Sequence, residues 1–162
     1  MSSLQIAGFL DHSTVNGLGL RSVLFVSGCR HYCQGCQNKV MQSPSYGEVH
    51  SITELYQRIL KNKPLIDGVT FSGGEPFDQA EGLVALATLL RQEGLSIWAY
   101  TGYIYEELLT DDLKSHLLEL IDVLVDGPFI ENLYNASLRY RGSSNQRFLK
   151  LNHGKIIEEL FF

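Results

Sequence analysis

Cys29, Cys33 and Cys36 are the only cysteines in the chain, and they fall in one short window with the spacing Cys-x3-Cys-x2-Cys. An odd number of thiols packed this closely cannot form a disulfide framework, and a reducing compartment keeps such thiols free. Their arrangement points to metal binding. A structural zinc site takes four tetrahedral ligands, usually as two paired knuckles. No second cysteine pair exists, so zinc would need His31 or a more distant histidine. His31 lies inside the loop and is expected to face solvent. An iron–sulfur cubane explains the count better: cluster irons prefer thiolates, and three cysteines leave one iron with an open position. Zinc and redox-sensing thiols stay open as alternatives.

The elements that would hold this loop can be read from hydrophobic patterning. Val23-Leu24-Phe25-Val26 is a short apolar run ending in Ser27-Gly28, as a buried strand should be. Ser51-Ile52-Thr53-Glu54 fits a capping box, followed by Leu55, Tyr56, Ile59 and Leu60 at helical spacing. Val69-Thr70-Phe71 is a second strand, and Ala80, Leu83, Val84, Ala87 and Leu90 form a helical stripe that stops before Gly94. Ile97-Trp98-Ala99-Tyr100 and Val123-Leu124-Val125 are further strands, with Leu113, Leu117, Leu118 and Ile121 marking a helix between them. Residues 147–162 suggest a C-terminal hairpin, with Phe161 and Phe162 either packing in its last strand or forming part of a docking patch.

Strands alternating with helices imply parallel strands joined by right-handed crossovers. The chain has 162 residues, one domain's worth, and is too short for a complete eight-stranded barrel of about 250 residues. A partial barrel or a small doubly wound sheet remains. In either, chemistry collects beyond the carboxyl ends of the strands. The segments there are the cysteine loop, Ser72-Gly73-Gly74-Glu75-Pro76, Thr101-Gly102-Tyr103 and Asp126-Gly127-Pro128.

Composition narrows the class. Hydrophobic residues make up 44% and charged residues 19%, which excludes a disordered chain. A net charge of −5 argues against a nucleic-acid clamp or a polybasic membrane anchor. There is no membrane-length apolar run and no leader-like N-terminus, so a cytoplasmic protein is expected.

The Cys29-x3-Cys33-x2-Cys36 motif resembles the signature of the radical S-adenosylmethionine (SAM) enzymes. Residues 16–29, running on to Cys36-Gln37-Asn38, look like the opening of the glycyl-radical-enzyme activases. Ser72-Gly73-Gly74-Glu75-Pro76 resembles that family's glycine-glycine-glutamate-proline motif. Trp98-Ala99-Tyr100-Thr101-Gly102-Tyr103, Asp122-Val123-Leu124-Val125-Asp126-Gly127 and Arg141-Gly142-Ser143-Ser144-Asn145-Gln146 are similar to one branch, the activases of anaerobic ribonucleoside-triphosphate reductases. The resemblance covers residues 11–146. Leu18 stands where the family commonly has proline, and residues 152–162 match nothing in it.

The resemblance implies a partial parallel β/α barrel of the radical SAM type, a single domain over residues 1–162 with its cluster loop at 28–38. It implies an oxidoreductase in which Cys29, Cys33 and Cys36 hold a 4Fe–4S cluster whose open iron is chelated by SAM. One electron, from a low-potential donor such as flavodoxin, would yield a 5′-deoxyadenosyl radical that installs a glycyl radical on the reductase. Gly73 and Gly74 would let the backbone approach the methionyl group, and Glu75 would hold its ammonium or act as a helix N-terminal carboxylate. Thr101 and Asp126 would lie near SAM and could hold a monovalent cation. Arg141 to Gln146 reads either as a turn with anion-friendly amides or as a contact to a partner or effector. With three cysteines, no auxiliary ferredoxin-type cluster is possible, since each needs about four more. The alternatives are another glycyl-radical enzyme as target, a small-molecule radical SAM enzyme, or a non-enzymatic zinc or iron–sulfur module.

Overall fold

The computed structural model describes residues 2–162. Eight strands form one mixed sheet: β1 (Ser3–Ser13), β2 (Arg21–Val26), β3 (Glu48–Ser51), β4 (Gly68–Gly73), β5 (Ser96–Tyr100), β6 (Val123–Asp126), β7 (Arg147–Asn152) and β8 (Lys155–Leu160). Their spatial order is β3-β1-β2-β4-β5-β6-β7-β8. The four expected strands are the central ones, β2, β4, β5 and β6, and they pair with one another in parallel. Antiparallel pairs flank them: β1 and β3 on one side, the expected C-terminal hairpin β7 and β8 on the other.

The helices are α1 (Ile52–Asn62), α2 (Ala80–Gln92), α3 (Tyr105–Leu108) and α4 (Asp112–Leu118). Ser51 caps α1 as its sequence predicts, its hydroxyl accepting the Glu54 N–H at 3.2 Å. Because the central strands follow one another in spatial order without reversal, right-handed crossovers leave the helices on one face of the sheet. There α1 packs on α2, and α2 on α4. Strand alternation then sorts the side chains. Leu24, Val26, Val69, Phe71, Ile97, Ala99 and Leu124 point at the helices and join Ile59, Leu83, Leu86 and Leu90 in the main core. Each of these side chains larger than Ala99 contributes about 1.5–3 kcal/mol on burial.

The opposite face carries a smaller cluster of Trp98, Val123, Val125 and Phe148. Arg21 lies buried beneath it, with its guanidinium 5.6 Å from the centre of the Trp98 ring. It donates to the Thr70 hydroxyl at 2.8 Å and to the carbonyls of Val69, Ser96 and Leu18 at 2.9, 2.9 and 3.1 Å. Burial lowers its pKa to about 10, so it stays charged at neutral pH among neutral acceptors.

Several expectations need correction. β1 and β3 were not foreseen. Leu113 is exposed, α4 burying Leu117 and Leu118 instead, and Ile121 is buried just beyond the helix. Phe161 and Phe162 lie beyond β8. Phe162 packs on Trp98, Tyr140 and Phe148, while Phe161 stands 80% exposed.

Candidate metal centre

The cysteine loop leaves the end of β2 and returns on itself. Gly28 N–H donates to Met41 O at 2.7 Å and Cys29 N–H to Gln42 O at 3.0 Å, closing the neck. Inside it, Cys36 N–H reaches Cys33 O at 3.1 Å. The far limb is tied to the neighbouring strand by the Asn38 amide, which donates to Gly73 O at 3.2 Å. The loop thus has no regular strand or long helix of its own, and its shape comes from these ties.

All three cysteines are half-buried and line one cleft of about 700 Å³ at the carboxyl ends of the parallel strands. Ser72, Gly73, Gly74, Tyr100 and Thr101 line it too. Burial pushes the Cys29 thiol up to about 11, partly offset by the His31 backbone N–H that its sulfur accepts. The three thiols share one closed loop and one cleft, with no fourth cysteine in the chain. Among the described residues their side chains do not converge on a common metal position, and drawn together they would hold a cluster with one uncommitted iron. The cleft's volume is that of a small-molecule site.

Gly73 and Gly74 are required by packing. Gly73 has φ +108°, and a Cβ there would stand 2.4 Å from Val26 O. One on Gly74 would stand 2.4 Å from Gly28 O and 2.8 Å from Met41 O. The two glycines therefore let β4 run directly against the neck of the cysteine loop.

Glu75 and Asp126 lie behind the cleft, outside its lining. The Glu75 side chain is completely buried. It accepts from Phe77 N at 3.0 Å, Gly102 N at 2.7 Å and the Thr101 hydroxyl at 2.9 Å, and its Oε1 lies 2.6 Å from His31 Nε2. It caps the short turn Pro76–Gln79, the helix-terminal role considered for it. His31 does not face solvent as expected, because this carboxylate draws its ring inward. The Glu75 carboxylate holds the imidazole's pKa up, against the opposing effect of burial. Asp126, 1% exposed, accepts from Tyr105 N at 2.8 Å and is ion-paired with Arg147. Thr101 is thus bonded to Glu75 and Asp126 to Arg147, so the side-chain oxygens considered for a monovalent cation already have partners within the protein.

Residues 127–146 form another wall of the cleft, including Tyr134, Arg139 and Tyr140. The Arg141–Gln146 segment locks this wall. Gln146 Oε1 accepts Gly142 N at 2.9 Å and Ser143 N at 3.2 Å, while its amide donates to Gly127 O at 3.2 Å. Those two backbone amides are therefore committed within the protein, which removes the anion-binding reading for them. Nothing in the sequence marks Arg139 or Tyr140 as lining the cleft, and His31, read there as solvent-facing or as a zinc ligand, instead turns inward onto Glu75. Only His31 carried a signal, its place between two cysteines.

Residues 15–149 match the family model described as a 4Fe-4S single cluster domain, a span that contains all three cysteines. Three curated relatives share the description anaerobic ribonucleoside-triphosphate reductase-activating protein. That of Escherichia coli K12 is 38% identical over 143 residues, covering 82% of this chain and 89% of the relative. That of Vibrio cholerae serotype O1 is 39% identical, covering 82% and 88%. That of Enterobacteria phage T4 is 35% identical, covering 82% and 85%. With a closed three-cysteine loop on the rim of its parallel strands, and matches over most of its length, the chain belongs to the family of anaerobic ribonucleoside-triphosphate reductase-activating proteins.

Proposed function

We propose that this protein is a radical SAM oxidoreductase that installs a glycyl radical on an anaerobic ribonucleoside-triphosphate reductase. The observation that carries the reading is the closed loop presenting Cys29, Cys33 and Cys36, the chain's only thiols, to a cleft at the carboxyl ends of the parallel strands. Those cysteines would hold a 4Fe–4S cluster. Together with SAM, the cluster supplies the one-electron chemistry that generates a carbon-centred radical able to take a hydrogen atom from glycine.

The chain's own residues bind, orient and enclose. Gly73 and Gly74 bring β4 backbone to the cleft beside the thiols, and Thr101 lines it from the next strand. Glu75 and Asp126 serve the cofactors indirectly, as buried anchors of the rim. The wall of residues 127–146 bounds the cleft on one side, and with a partner seated over the rim it would help limit side reactions of reactive species. The monotonic strand order with helices on one face is what a partial barrel of the radical SAM type requires, and its open side would admit a peptide loop of the reductase. A flavodoxin-like carrier in the cytoplasm would complete the reading as electron donor.

Anaerobic EPR on the reconstituted, reduced protein mixed with SAM and the reductase tests this. A doublet growing as the cluster signal fades is the expected result. A cluster signal without a glycyl radical would reject the partner. Zinc without sulfide would reject the enzyme. Cys33→Ala should abolish both the cubane and SAM cleavage, and retention of either would overturn the assignment.

A further inference from the structure

The cysteine loop between residues 29 and 36 is held at its neck by backbone bonds and at its far limb by Asn38. Between these ties, among the described residues, the limb carrying Cys29 and Cys33 is attached to the body of the protein by the buried contact of His31 with Glu75 and by a long ion pair of the exposed Arg30 with Asp78 at 3.8 Å. The His31 Nε2 lies 2.6 Å from Glu75 Oε1, and its ring stands edge-on to Tyr103 with centroids 4.5 Å apart. The ring also lies against the backbone of Gly102, where a Cβ would come within 2.5 Å of its Cδ2. Gly102 thus leaves a slot that the imidazole fills. Next to it, Tyr32 takes a left-handed backbone, φ +49°, and turns its own ring into solvent. A tyrosine adopts that backbone at a cost, which the buried attachment of His31 offsets.

We propose that His31 is a positioning residue: it clasps the cysteine loop to the Glu75 carboxylate and so sets where Cys29 and Cys33 present their sulfurs. Glu75 is itself fixed from two further directions, by Thr101 and Gly102 after β5 and by Phe77 after β4. Through this one carboxylate the cysteine loop, the β4 loop and the β5 loop are joined into a single rigid rim. The inference rests on the iron–sulfur reading for its purpose, but the clasp is a property of the chain without metal.

The test therefore starts with the metal-free protein. Alkylation of each cysteine by iodoacetamide is followed by mass spectrometry in the wild type, His31→Ala and His31→Gln. Loss of a hydrogen bond to a buried charge should raise the rates at Cys29 and Cys33 by about tenfold in His31→Ala. His31→Gln, whose amide can still donate to Glu75, should restore most of the protection. Matching melting temperatures for the two variants would confine the effect to the loop. Equal rates in His31→Ala and the wild type would overturn the proposal, as would failure of glutamine to rescue. After reconstitution, His31→Ala should hold less iron and sulfide than the wild type and show an altered EPR line shape, with glutamine again restoring both. A wild type that takes up no sulfide would sink the iron–sulfur reading, while the alkylation rates still decide the clasp.

Discussion

Arg147 grips Asp126 from the adjacent antiparallel strand with two nitrogens, Nε at 2.9 Å from Oδ1 and Nη2 on Oδ2, just behind the cleft. The carboxylate is 1% exposed, while the guanidinium is one-third exposed and also reaches Glu106 at 3.1 Å. Water can thus solvate the arginine, but Asp126 relies on its partner. Arg147→Met should lower stability by about 3 kcal/mol, since it leaves an uncompensated buried charge. Arg147→Lys, which keeps the charge but loses the two-point geometry, should cost less. Urea denaturation of the metal-free protein measures both, and equal losses would contradict the two-point account.

The same pairing predicts insensitivity to monovalent cations. Exchanging potassium for a bulky organic cation at constant ionic strength should leave SAM affinity unchanged within about twofold. A tenfold loss by calorimetry would reveal a cation site that the Asp126 and Thr101 contacts argue against.

Glu75→Gln tests the buried knot. Phe77 N and Gly102 N donate to different oxygens of the carboxylate, so the single amide oxygen can accept from one of them only, and the NH₂ group must face the other donor. A loss of about 2 kcal/mol or more is expected from unpaired buried groups. Thermal melting of the metal-free protein reports it, and an unchanged melting temperature would mean the carboxylate is dispensable for the fold.

Gly74→Ala should disturb the metal centre more than the fold. Its Cβ would press on Gly28 O and Met41 O, both part of the loop's neck. Circular dichroism should be nearly unchanged while reconstituted iron falls severalfold. Full iron loading would show that the neck can shift without cost.

Acid sensitivity has a defined source on the far side of the sheet. Asp11 accepts from Arg58 at 3.1 and 3.2 Å and from Asn62 at 3.0 Å, and these bonds hold its carboxyl below the ordinary 3.8. A lowered folded-state pKa means that the unfolded chain binds the proton first. The stabilisation is therefore complete above the ordinary value and fades as pH falls through the lower one. Denaturant midpoints should drop below about pH 4, and Asp11→Asn should flatten that part of the profile.

The central strands were legible because each is an apolar run broken by a glycine or polar rim residue, as at Val26-Ser27-Gly28 and Phe71-Ser72-Gly73. β1 was hidden for the converse reason. Its pairing with β2 shifts register between Ile6 and Gly8 and again between Leu10 and Ser13, so its inward residues do not alternate cleanly. β3, Glu48–Ser51, is a polar edge strand with no pattern to find. The thiols were identified by spacing alone. The partners of Glu75 and Asp126 were not, because they depend on tertiary geometry. Asp126 meets Arg147 only through the β6–β7 register, and His31 meets Glu75 across 44 positions of chain. Both carboxylates follow strands at a rim, where a ligand contact and an internal tie look alike in sequence.

The three thiols and the wall of residues 127–146 line one and the same cleft, with Phe25 and Tyr100 beside them. The consequence concerns the order of events. A small molecule settled against the thiols and a peptide loop laid over the same rim would share one approach, so the small molecule must enter first. A seated peptide would then hold it in place. Binding of the partner should slow the escape of whatever lies beneath it, and fragments should leave only after the partner lifts away.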